Sequence, residues 1–537
     1  QAVALLLLPN EILLKVMEHL GVLELSRMLT VCRFLSYGQL PNDTPLSLVE
    51  ECLRQRATSL GMTLPQKLPL GETSWVQALL HTEAQRERSA CTVSVGQWHS
   101  LFVDIDGNLL SCGVESAEDD PNESTASHEL QTIEPIQNDN NGQVNDESIH
   151  HHPTHYGQHG TSQGLLGHGI LKSLTEGVPT PRRVHALSGI RFRSVSAGTQ
   201  HSLAVSEEGA LFSWGCGGAW LGHGSDATTT SPTRVMAVHD VRMLSAAAGD
   251  SHSLALSTDG AVYSWGARAL GTMRLLGHGM LEEQSTPMRL ETLRDRVITA
   301  ISAAFSHSLA VDFDGNVWSW GQSSHGQLGH GTRAEELWPR EVIGLRGVRV
   351  VNVAAGDTFS LALSRDGKLY SWGRAQRAGH DRTRNQLLPR QIKALAGRRV
   401  RALAARFSHA LVTTEDGALF SWGAGSRGQL GHGDLSDQRV PRQVEALAHL
   451  RICNIAVGSY SSVAVDSTGR AWAWAFGSQD GPRVDAVLGL KRRAVDNVAL
   501  PMPLDRSLQL TVHGYGLNVN GLRQPRSRKR KRSMSKC

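Results

Sequence analysis

A short apolar run, a turn made of an acidic or polar residue and a glycine, and a second apolar run returning from it recur seven times along this 537-residue chain. Leu203-Ala204-Val205, then Glu207-Glu208-Gly209, then Leu211-Phe212-Ser213-Trp214 is one clear copy, and this pattern predicts a β-hairpin. The turn glycines fall at 107, 209, 260, 315, 367, 417 and 469, with Asp before five of them, so the repeat is about 50 residues with one insertion after the first copy. An isolated hairpin cannot bury both faces, so a row of them must stack. The pattern therefore predicts a mainly-β, seven-bladed β-propeller.

The segments between hairpins repeat too. Leu-Gly-His-Gly follows at 166–169, 221–224, 276–279, 328–331 and 430–433, and then a proline-led segment follows at Pro181, Pro232, Pro287, Pro339, Pro389, Pro441 and Pro482. Proline suits the first position of an edge strand, where it is placed here. Because the series opens with a hairpin (94–113) and ends with a proline segment (482–488), the expectation is that 482–488 pairs with 94–113 and closes the ring, removing exposed sheet edges.

Val195-Ser-Ala-Gly-Thr-Gln-His-Ser-Leu-Ala-Val205 and its partner at 246–256 resemble the signature of the regulator-of-chromosome-condensation repeat family. The resemblance covers residues 91–522 and implies a seven-bladed propeller. Its members include guanine-nucleotide exchange factors, chromatin binders, photoreceptors and parts of ubiquitin ligases, so the fold alone does not assign a function. The Gly-Trp-Arg-His-Thr phrases of the plant ultraviolet-B photoreceptors are replaced here by Gly-Thr-Gln-His-Ser and its variants, so the tryptophan cluster for light sensing is missing.

Before the ring, Leu8-Pro9-Asn-Glu-Ile12-Leu13 through Val16, Met17 and Leu20 sets an apolar stripe at helical spacing, and Val31-Cys32-Arg33 continues it. This resembles an F-box, with its Leu-Pro-x-Glu opening, the Leu ending the first helix and a Val-Cys-Arg triplet; Phe34 and the Gly21 loop depart from the family pattern. The expected organisation is a small α-helical F-box-like domain at 1–60, a connecting helix and linker at 61–90, the propeller at 91–522 and a tail at 523–537.

Charge is segregated along the chain. The formal net charge is +4, yet residues 114–163 hold ten Asp or Glu and no Lys or Arg, which predicts a disordered acidic insertion. The tail carries Arg528, Lys529, Arg530, Lys531 and Arg532, a block that reads as a nuclear-import signal or a contact to chromatin. Seven scattered cysteines read as reduced thiols, and the Leu5–Leu8 run is too short to span a bilayer, so the expected location is nucleus and/or cytoplasm, with no membrane.

No nucleophile elbow, phosphate loop, paired-cysteine zinc site or dinucleotide fingerprint occurs, so no catalytic residue, metal, cofactor or small-molecule substrate is expected. The repeat histidines 99, 201, 252, 307 and 409 read as structural, because Phe359 and Ser461 occupy the same position. The cluster His150, His151, His152, His155 and His159 has metal-type spacing but sits in the acidic insertion. The F-box resemblance implies a non-catalytic receptor of a Skp/cullin/F-box ubiquitin ligase. A Skp-type adaptor would meet Leu8, Pro9, Ile12, Leu13, Val16, Leu20, Val31 and Cys32, and a target protein would meet the ring. The alternatives are an exchange factor for a small Ran-type GTPase and a chromatin or scaffold binder.

Overall fold

The computed structural model describes residues 54–55, 92–114, 164–169, 178–266, 275–281, 283–475, 499–504 and 510. It divides into two compact units, Ser89–Thr511 and a second comprising Gln1–Arg88 with Val512–Cys537. Of the second unit only Arg54 and Gln55, both helical, are described, so the F-box-like domain, the connecting helix and the basic tail lie outside the described residues, as does the acidic insertion after Val114. Among the described residues, no helix is long and apolar enough to cross a membrane.

Seven four-stranded antiparallel sheets make the propeller. Blade 1 runs Val93–Val95, His99–Val103, Leu109–Gly113 and Val178–Arg183 from the inner to the outer strand, and blade 2 runs Phe192–Ala197, His201–Ser206, Leu211–Gly215 and Thr229–Arg234. Blades 3 to 7 repeat this order, ending with Ile452–Val457, Ser462–Asp466, Ala471–Trp474 and Met502–Pro503 in blade 7. The second strand is buried along its whole length (His201–Ser206, for example), because a neighbouring blade covers each face; hence the sequence shows an apolar run there rather than alternation. All seven hairpin glycines adopt φ between 80° and 91°, a region that only glycine enters at little cost.

Adjacent blades bury a shared apolar layer, as where Leu101, Val103 and Leu109 of blade 1 meet Val195, Ala204 and Trp214 of blade 2. A polar lock crosses the same seam. His99 Nε2 donates to Ser202 Oγ (2.7 Å), Ser202 Oγ donates to the Leu165 carbonyl (3.1 Å), and that carbonyl also accepts from Trp214 Nε1 (2.9 Å). The same four-part arrangement joins blades 2 and 3 through His201, Ser253, the Trp220 carbonyl and Trp265. It recurs at blades 4 and 5 (His307, Ser360, Gln327, Trp372) and at blades 6 and 7 (His409, Ser462, Gln429, Trp474). At the seam of blades 5 and 6 the polar pair becomes apolar, Phe359 against Ala410, while Trp422 still donates to the Arg377 carbonyl at 3.0 Å. Within each of six blades, the serine of Ser-Trp-Gly or Ser-Cys-Gly clamps the following loop. Ser213 Oγ, for instance, donates to the Leu221 carbonyl (2.6 Å) and meets His223 Nε2 (2.9 Å), which explains the recurrent Leu-Gly-His-Gly.

Two sequence expectations need correction. The repeat prolines 181, 232, 287, 339, 389 and 441 sit fourth in six-residue outer strands, not first; an outer strand has one unpaired edge, where a missing N–H costs nothing. Closure also differs. The outer strand of blade 1 is its own Val178–Arg183, the outer strand of blade 7 is Met502–Pro503, and 482–488 lies outside the described residues. The C-terminal side of the ring still completes blade 1, but on the side of the inner strand, through Leu510 among the described residues. Leu510 pairs opposite Asp104 and donates its N–H to the Gly469 carbonyl (3.0 Å), just as Phe192 pairs opposite Ser206 and donates to Gly107 (2.8 Å).

Asn454 Nδ2 donating to Thr92 Oγ1 (2.9 Å) adds to this seam, where Ser461, Ser100 and Cys112 stand at the positions of the His-Ser-Trp lock. Leu510 is 2% exposed, so Leu510→Ala is expected to lower the unfolding free energy by about 2–4 kcal/mol. Hydrogen exchange should then accelerate first in Val93–Val95 and Ile452–Val457, whereas uniform acceleration around the ring would contradict the assigned role.

Candidate interaction site

The loops joining inner to second strands line the throat of the ring at one end. In five blades each such loop opens with glycine, and in four of them a Cβ there would meet the next blade: at Gly96 it would lie 2.4 Å from the Gly198 carbonyl oxygen, and at Gly249 2.7 Å from that of Ala304; blade 4 has Ala304 at this position. Blade 6 breaks the rule with Arg406. Its inner strand runs one residue longer, Val400–Arg406, and Phe407 takes φ 50°, the one non-glycine residue with positive φ among those described.

The Arg406 side chain crosses from blade 6 to blades 2 and 3. Nη1 donates to the Ala197 carbonyl (2.7 Å) and, more distantly, to that of Ala248 (3.4 Å), while Nη2 lies 3.5 Å from Asp250 Oδ1. Thr199 Oγ1 donates to the same carboxylate at 2.7 Å. Asp357 of blade 5 joins the group, with its backbone N–H donating to the Phe407 carbonyl (2.9 Å). Burial and then the neighbouring Asp250 charge push the Asp357 carboxyl well above the ordinary range, against the pull of Arg406 and the Phe407 amide. Phe407 meets Tyr460 edge to face at 5.0 Å, and the Arg427 guanidinium lies 5.6 Å over the Tyr460 ring. Sequence reasoning missed this site; its signal was an Arg where the repeat has Gly.

The expected site residues fare unevenly. Leu8, Pro9, Ile12, Leu13, Val16, Leu20, Val31 and Cys32 lie outside the described residues, as do Arg528 to Arg532 and the His150–His159 cluster. Among the described residues no group of three or more His, Cys, Asp or Glu is placed to hold a metal ion. The repeat histidines are structural. Burial holds His99 and His201 down at about 3, with the Arg406 charge adding to it in both cases, and His307 and His409 likewise at about 3. His252 is held at about 4 by burial. Since Ser202, Ser253, Ser360 and Ser462 give their protons to carbonyls, His99, His201, His307 and His409 are neutral and donate from Nε2.

A ring of locked blades with its throat spanned by a guanidinium is a rigid scaffold presenting loops. The RCC1-like domain family matches residues 155–516. The chain belongs to that family. It is 35% identical over 315 residues to the ultraviolet-B receptor UVR8 of Arabidopsis thaliana, covering 58% of this chain and 59% of that protein. It is also 35% identical over 217 residues to the human E3 ubiquitin-protein ligase HERC2, 39% of this chain but 4% of that protein. The chain thus spans less than two thirds of either relative. Among solved structures, Prp20p of Saccharomyces cerevisiae superposes with a TM-score of 0.56 at 26% identity, over 64% of this chain and 85% of that one. An RCC1-like ring is a protein-interaction module.

The locked histidines make stability depend on pH with a definite sign. Above about pH 6.5 they are neutral folded or unfolded; below it the unfolded chain takes up protons that the fold refuses. Stability is therefore complete above that value and falls on acidification toward the folded values of 3 to 4, by up to about 1.4 kcal/mol per pH unit for each histidine. Urea unfolding between pH 5 and 7 should show this slope. Replacing His201→Phe with Ser253→Ala, as blades 5 and 6 do naturally with Phe359 and Ala410, should reduce it by about one proton while preserving the fold.

Proposed function

We propose that the chain is the substrate receptor of a Skp/cullin/F-box ubiquitin ligase: the N-terminal stripe recruits a Skp-type adaptor and the ring holds the protein to be modified. The observation that carries this reading is the union in one chain of the F-box-like segment Leu8–Cys32 with a seven-bladed ring whose seams are locked. A receptor needs a stiff frame that holds its target at a fixed place relative to the recruiting segment, and repeated locks give the ring that stiffness. Similarity to part of HERC2, a protein named as an E3 ubiquitin-protein ligase, supports the association of such rings with ubiquitin transfer. In this reading Arg528, Lys529, Arg530, Lys531 and Arg532 direct nuclear import.

The second reading is a guanine-nucleotide exchange factor for a Ran-type GTPase, favoured by the likeness to Prp20p, which has been studied for its binding to Gsp1p and histones. In a third, the basic tail adds a chromatin contact, weakened by salt through counterion release.

Two measurements separate these readings. Under the first, the full chain co-purifies with a Skp-type adaptor, and Ile12→Asp with Val16→Asp abolishes the complex without changing thermal unfolding of the ring. Accelerated nucleotide release from a Ran-type GTPase, with no adaptor bound, would favour the second reading instead.

A further inference from the structure

Positive charge is concentrated in one sector. Residues 374–406, from the end of the third strand of blade 5 to the end of the inner strand of blade 6, hold ten Arg or Lys and one Asp. The equivalent stretches of the neighbouring sectors, 322–355 and 424–457, each hold four Arg and three acidic residues. Several of the ten have partners: Arg377 pairs with Asp437 (2.9 Å), Arg399 with Glu415 (3.0 Å), Arg398 with Asp416 (3.7 Å) and Arg406 with Asp250 (3.5 Å). Arg382, Arg384 and Lys393 are exposed, Arg390 is half-buried, and none of the four forms an ion pair among the described residues.

The repeat itself shows that this is a departure. Arg340, Arg390 and Arg442 occupy one position in the outer strands of blades 4, 5 and 6. Arg340 is neutralised by Glu336 and Arg442 by Asp434. In blade 5, Gln386 stands where blade 4 has Glu336, and Arg382 stands where blade 6 has Asp434. Arg390 has thus lost both sources of counter-charge and gained a second cation. Both guanidiniums act on His380, whose imidazole is held below its ordinary value chiefly by burial, against the Ser371 bond, with Arg390 and then Arg382 adding to the effect. Between these cations Leu388 is 49% exposed, and Ile343 of the adjoining connection is 57% exposed beside Gly344, which approaches Pro389 and Leu388.

We propose that the outer wall of blade 5, formed by Arg382, Arg384, Leu388, Arg390 and Lys393 with Ile343, docks a short acidic segment of a partner protein that carries an apolar side chain for Leu388 and Ile343. Charge complementarity assigns the sign of the partner. The flanks decide its class: on the blade 4 side Glu336 and Glu341 neutralise Arg340 and Arg346, and on the blade 6 side Asp434 and Asp437 neutralise Arg442 and Arg377. The positive strip is therefore about one strand long, roughly 20 Å. A continuous polyanion such as a nucleic acid would run on over these neutralised pairs, whereas a short acidic peptide is matched to the strip, and exposed leucine and isoleucine reward an apolar side chain that a phosphate backbone lacks. The proposal rests on the ring being an interaction module and is independent of the adaptor segment.

Fluorescence anisotropy tests it with the full chain and a labelled peptide, Asp-Asp-Glu-Leu-Asp-Phe-Glu-Asp, beside its Asn/Gln analogue and an oligothymidylate. Binding of the acidic peptide alone is expected, weakened by salt. Arg382→Asp, which recreates the carboxylate of blade 6, and Arg384→Glu should each weaken it about tenfold, while Arg340→Gln leaves it unchanged. Equal binding by the analogue, no effect of either blade 5 substitution, or preference for the oligothymidylate would overturn the proposal. So would binding that emerges only once the ten acidic residues of 114–163 are changed to Asn and Gln, since the chain's own segment would then be the occupant. Adaptor co-purification of Arg382→Asp is expected to match the parent, so failure here is distinguishable from failure of the receptor reading.

Discussion

The structure depends on one shared carbonyl oxygen at each of four seams. At Leu165, Trp220, Gln327 and Gln429 that oxygen accepts from both an indole N–H and a serine hydroxyl of the next blade, and the serine in turn accepts from a histidine of the preceding one. The groups are buried, so leaving any one unpaired would carry its full desolvation cost. Satisfied together, they fix the height and angle at which one blade meets the next. Apolar packing alone tolerates sliding; a buried polar relay does not.

Much of this was legible because the repeat is physical. The hairpin glycines mark positive φ, the buried tryptophans mark the blade seams, and a histidine position that accepts Phe359 reads as structural, although the hydrogen bond it makes was not foreseen. The closure was misassigned for an equally physical reason. Proline marks the fourth position of an edge strand, and in the last repeat that strand is cut to Met502–Pro503, so counting prolines pointed to the wrong segment. Among the described residues Leu510 restores the missing rung, and one residue leaves no periodic trace in a sequence.

The charged sites were hidden by the same regularity. Arg406 is visible only when its repeat neighbours are seen to be glycine or alanine, and the blade 5 wall only when each arginine is compared with its counterparts at 340 and 442. Totals taken over the chain average such contrasts away. In a repeat protein the informative residue is the one that its own sister copies would not predict.

The seam between the last blade and the first gives the circle a start and a finish. Six seams share a common vocabulary of aromatic, hydroxyl and imidazole groups in varying completeness, whereas this one reads Ser461, Ser100 and Cys112 and is fastened instead by Leu510 and the Asn454–Thr92 bond. Mechanically the molecule is a bracelet with a clasp: strain applied anywhere around the hoop concentrates at that joint.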